Sequence, residues 1–116
     1  MPRDQVSQAL RDNAIATVET LELENKALLR AFEQGEPSPH LLWVARSVGA
    51  RAQLLADLVG SAHSGKAYGD VTEAAAAANV ALASYGEGRE SPALVHDAAA
   101  KELNRLREAL EAVPVR

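Results

Sequence analysis

The sequence predicts an all-α fold, an antiparallel four-helix bundle, on three observations. Apolar residues recur at helical spacing through most of the chain, while valine and isoleucine are sparse and no run alternates apolar with polar residues as a half-buried strand would. Glycine, proline and serine gather near residues 35–39, 60–69 and 86–92, which leaves four segments of helix length. At 116 residues, a single domain over 1–116 is the expected organisation.

The first helix is expected over about 4–33, opening on Asp4 as cap. Its apolar seam runs through Leu10, Ala14, Thr17, Leu21, Leu28 and Phe32 with polar Asn25 set inside it, and Gly35 and Pro37 end it. Ser38-Pro39 then starts a second helix over about 39–59, serine serving as cap and proline fitting a first turn whose N–H groups have no helical acceptor. "GSAHSGKAYG" follows as the expected mobile connection. Asp70 and Glu73 stand at capping-box spacing and open a third helix, about 70–85, which Gly86 and Gly88 close. Ser91-Pro92 repeats the earlier start signal for a fourth helix over about 92–113.

The repeated Ser-Pro signal points to two similar helical hairpins. Residues 14–60 shifted by 53 positions align without a gap and match at nine of 47 positions, with "FEQGEPSPHLL" lying over "YGEGRESPALV". Two such hairpins close naturally into a bundle.

Composition limits how that bundle is held and what it does. Of the 55 hydrophobic residues, 24 are alanine, so the interior is expected to be thin and oligomerisation is a natural supplement. The chain has no cysteine, which leaves no disulfides, thiolate metal sites or cysteine nucleophiles. "MPRDQVSQAL" has no signal-peptide core, and no stretch approaches the roughly 18 apolar residues of a membrane span, so a cytoplasmic protein without membrane contact is expected. The formal net charge of −4 disfavours nucleic acid as the main partner. Only residues 37–66 are net basic, with three basic groups and one acidic.

That same segment carries more apolar side chain than one helix face can hide. At about 100° per residue, Leu41, Ala45, Val48, Ala52, Leu55 and Val59 form a sufficient core stripe, with Gly49 and Ala56 beside it for close approach. The opposite side holds Trp43, Ser47, Ala50, Leu54 and Leu58, flanked by Arg46, Arg51, Gln53 and Asp57. A surface helix should be polar there. An aromatic and two leucines with arginines alongside match the make-up of protein–protein hot spots. Under the gapless alignment the fourth helix has His96, Arg107 and Glu111 in place of Trp43, Leu54 and Leu58, so the apolar back belongs to the second helix alone. Three readings follow: Trp43 buried under the first helix or the 60–69 connection, a homo-oligomer interface with a dimer as the simplest case, or a face for a different protein.

No catalytic constellation accompanies it. The residues three before His40, His63 and His96 are Pro37, Gly60 and Ala93, so the Glu-x-x-His pairs of di-iron bundles are missing, and the histidines read as surface residues. Glu19, Glu22 and Glu24 read as a solvated surface, because the second helix offers only Asp57 toward a magnesium site. "GSAHSGK" is followed by Ala67 and no strand precedes it, so it lacks the phosphate-loop pattern. No cofactor, metal or enzyme activity is expected.

A second functional reading comes from the same segment. "VARSVGARAQLLADLV", within residues 41–59, resembles a helix-turn-helix through Ala45, Gly49, Leu55 and Leu58. The resemblance implies a DNA-binding regulator with a break at Gly49, Arg51 and Gln53 toward base edges, and Arg46 and Lys66 on phosphates. The favoured expectation is a small acidic protein-binding module, an adaptor, chaperone or inhibitor, acting through Trp43, Leu54, Leu58, Arg46, Arg51 and Ser47.

Overall fold

The computed structural model describes residues 6–35, 38–60, 65–85 and 91–115. Four helices account for nearly all of them: α1 (Gln8–Glu33), α2 (Ser38–Gly60), α3 (Lys66–Ala83) and α4 (Pro92–Glu111). They pack in a ring, each against its two sequence neighbours and α1 against α4, as an antiparallel four-helix bundle. The contact is most extensive between α2 and α3 and least between α1 and α2.

Serine capping fixes two of the starts. Ser91 Oγ accepts from the Leu94 N–H at 3.3 Å, and Pro92 occupies the first turn of α4. At α1 the cap is Ser7, whose Oγ accepts from the Leu10 N–H at 3.1 Å, so the helix begins after Ser7 and the expected Asp4 start lies outside the described residues. The side chain of Ser38 also lies outside them, as do His63, Gly86 and Gly88.

α3 corrects the sequence expectation more substantially. It begins at Lys66, so Asp70 lies inside the helix and the Asp70/Glu73 capping box does not form; Lys66–Gly69, expected in a mobile connection, is its first turn. Tyr68 and Val71 are both buried, and their packing extends the helix back past the local cap signal. Gly65 precedes it at φ +118°, a conformation open chiefly to glycine.

The core is thin in side-chain volume and closely packed. Ala45, Ala52, Ala56, Ala74, Ala75, Ala78 and Ala99 are buried beside Leu21, Leu82, Leu103, Leu106 and Leu110. On α1 the buried stripe is Ala14, Val18, Leu21, Asn25 and Leu28, rotated so that Val18 is inside rather than Thr17. Leu10 and Phe32, placed in the seam by their spacing, sit near the two ends of α1 and are exposed, at 39 % and 45 %. One pairing outside the helices clasps the described ends: the Val6 N–H donates to the Pro114 carbonyl at 3.0 Å, and Val6 and Val113 both join the core.

Candidate protein-binding face

α2 presents different chemistry on each of its sides. Leu41, Ala45, Val48, Ala52, Ala56 and Val59 are buried in the bundle, and Leu55 packs partly against them. Toward α3, Gly49 lies so near Asn79 that a Cβ there would fall 2.6 Å from Asn79 Oδ1, and Gln53 Oε1 accepts from Asn79 Nδ2 at 2.7 Å. Toward α1, Arg51 Nη2 is 2.7 Å from Glu24 Oε2 in an ion pair lacking hydrogen-bond alignment, while Arg51 Nε donates to the Ser47 carbonyl at 3.2 Å.

The fourth side faces outward and is apolar. Trp43 is 72 % exposed, Leu54 57 % and Leu58 63 %. Ala50 between them is exposed and Ser47 half-buried. α2 therefore completes its share of the core without these side chains, and burial of Trp43 under its own chain is not what the fold provides. Exposed large apolar residues also occur on α1, α3 and α4, at Leu23, Val80 and Leu94, but α2 is where an aromatic and two leucines line up on one stripe. Arg46 and Asp57 are exposed beside that stripe, and neither makes an ion pair among the described residues.

A groove between α1 and α2 continues this surface. Ala27, Leu28, Ala31, His40, Leu41 and Val44 line a depression of about 250 Å³, and Val44 also borders a notch walled by Glu24, Trp43, Ser47 and Arg51. The groove is open because α1 and α2 make the slightest contact of the four neighbouring pairs. Spacing within α2 marked Trp43 but could not show Val44 as the link between stripe and groove, since that depends on where α1 lies.

The break at Gly49 that the helix-turn-helix resemblance requires is absent: residues 38–60 form one uninterrupted helix. Gly49 serves the approach of α3, and the two side chains assigned to base edges are engaged with neighbouring helices, Gln53 with Asn79 of α3 and Arg51 with Glu24 of α1. A turn at Gly49 would break the close packing of α2 on α3.

Two further expectations are corrected. Glu22 and Glu24 are not simply solvated, because Glu22 Oε1 accepts from Arg107 Nε at 2.9 Å and Glu24 pairs with Arg51. The hydrogen bond that Arg107 donates to Glu22, then the charge of Glu22, push the Arg107 guanidinium further above its already high range. His96 is not a free surface histidine: its Nδ1 lies 3.0 Å from the Asn25 carbonyl, which can only accept, so that nitrogen carries the proton. Among the described residues no three His, Cys, Asp or Glu side chains gather as a metal site would need, and no helix is long and apolar enough to cross a membrane.

No family model, curated protein or solved structure matches the chain.

Proposed function

We propose that the chain is a protein-binding module, an adaptor, chaperone or inhibitor of a larger partner, working through the outer face of α2 without a catalytic step of its own. The observation that supports this is the exposed stripe of Trp43, Leu54 and Leu58 on a helix whose core face is already complete. A tryptophan rimmed by aliphatic side chains and arginine is the usual energetic centre of a protein interface. Arg46, exposed beside the stripe, would orient a partner, whereas Arg51 would act as a wall of the Trp43 notch held by Glu24.

The test is capture of a partner from cells that make the protein, comparing Trp43→Ala with Leu94→Ala, a substitution at an exposed leucine of α4. Trp43→Ala should weaken capture by about 30-fold or more, the equivalent of roughly 2 kcal/mol. Leu94→Ala should leave it unchanged. Equal capture by all three proteins, with helicity intact, contradicts the proposal.

A further inference from the structure

We infer that the outer face of α2, when no larger partner holds it, closes on a second copy of this chain, its α2 packed antiparallel to the first about a two-fold axis passing beside Ala50 and Arg51. This rests on the outer face of α2 being a binding face and adds what binds there.

The argument is the symmetry of the stripe. Trp43 and Leu58 are equidistant from the midpoint between residues 50 and 51, and so are Ser47 and Leu54. An isologous contact sets residue i on j and j on i, so Trp43 meets the other copy's Leu58, and Leu54 enters the space left by the small Ser47. Ala50 lies half a residue from the axis, offset from its own counterpart by about 1.5 Å along the seam, and so small a side chain there permits helix axes about 8–10 Å apart. Large therefore faces small or apolar faces apolar along the whole seam.

Charge fixes the direction. Arg46 and Asp57 lie on the same flank of the stripe, on opposite sides of the midpoint, both exposed and both without an ion pair among the described residues. In an antiparallel pair like flanks meet with their order reversed, so Arg46 of each copy stands beside Asp57 of the other. Two ion pairs close the seam. A parallel pair would instead turn the Arg46 flank toward the flank of Arg51, bringing cations together and leaving Asp57 with no cation at its level.

The seam from residue 43 to 58 is only about 22 Å long at 1.5 Å per residue, which places the contact among weak, reversible interfaces. Sedimentation equilibrium from about 10 µM to about 1 mM at low salt covers that range. The mass should climb from 12.3 kDa toward twice that value. Arg46→Glu and Asp57→Arg should each weaken association by about 10-fold, and the double reversal should restore it to within about 3-fold. Circular dichroism should be the same for all, since both positions are exposed. A protein that stays monomeric to 1 mM, or a dimer indifferent to the charge reversals, overturns this inference. A monomer whose capture of another protein still depends on Trp43 overturns it alone; a dimer indifferent to Trp43→Ala, with capture equally indifferent, overturns the protein-binding proposal as well.

Discussion

Asn25 and His96 each grip the other's backbone: Asn25 Nδ2 donates to the His96 carbonyl at 3.2 Å, and His96 Nδ1 donates to the Asn25 carbonyl at 3.0 Å. Asn25 is buried, 1 % exposed, and the two bonds tie α1 to α4 at a fixed register. The two side chains use separate atoms, so deleting one leaves the other's bond in place. Asn25→Ala is expected to cost about 1–3 kcal/mol and His96→Ala about 1 kcal/mol. Their double-mutant coupling should stay below about 0.5 kcal/mol in urea unfolding. Among the described residues Asn25 Oδ1 has no hydrogen-bond partner, so Asn25→Leu, which fills the volume and removes that acceptor, should cost less than Asn25→Ala.

Gly49 and Gly69 make opposite predictions for one substitution. A Cβ at Gly49 would lie 2.6 Å from Asn79 Oδ1 and 3.1 Å from Asn79 Cα, so Gly49→Ala should destabilise by about 1–3 kcal/mol despite alanine's better helix propensity. Asn79→Ala removes the nearer clash but not the backbone one, so it should rescue Gly49→Ala only in part. Gly69 is helical with nothing within 4 Å of a Cβ, and Gly69→Ala should stabilise by about 0.5–1 kcal/mol. Thermal unfolding of the variants measures all three.

Among the described residues the buried Tyr85 hydroxyl has no hydrogen-bond partner, and burial pushes its pKa above the usual tyrosine value. The folded state thus loses its proton at higher pH than the unfolded state. Below pH about 10 both hold it and the contribution to stability is fully present. As pH rises beyond that value the unfolded state ionises first and stability falls, until the folded-state pKa is passed. Tyr85→Phe should flatten this alkaline decline and change stability at pH 7 by no more than about 1 kcal/mol, in the stabilising direction.

Stability should separate the face from the core. Trp43→Ala and Leu54→Ala are expected to change unfolding free energy by no more than about 0.5 kcal/mol in dilute protein, because neither side chain fills the bundle. Leu103→Ala or Leu106→Ala, both fully buried, should cost about 2–5 kcal/mol. A large loss at Trp43 would place the indole in the core.

Local chemistry made the bundle legible. Ser91-Pro92 and the apolar period of α2 gave the fourth helix start and the division of α2 into core and outer stripes, because caps and helical spacing act within a few residues. What depended on distant partners was not legible. The pairing of Glu22 with Arg107 spans 85 positions, and the earlier start of α3 follows from burial of Tyr68 rather than from any signal near Asp70. The inward rotation that buries Val18 instead of Thr17 is likewise set by the neighbouring helices. Polar Asn25 within an apolar seam was the visible trace of the α1–α4 tie, yet nothing near it in sequence named His96.

Trp43 is the only tryptophan in the chain, so a fluorine label on its indole reports this face alone. Fluorine NMR of the labelled protein inside the cells that make it, set against dilute purified protein, is the measurement closest to the central question. The resonance should shift and broaden in cells and recover its dilute form when Leu54 and Leu58 are changed to alanine. The same line in cells for both proteins would show that nothing seats on the outer face of α2.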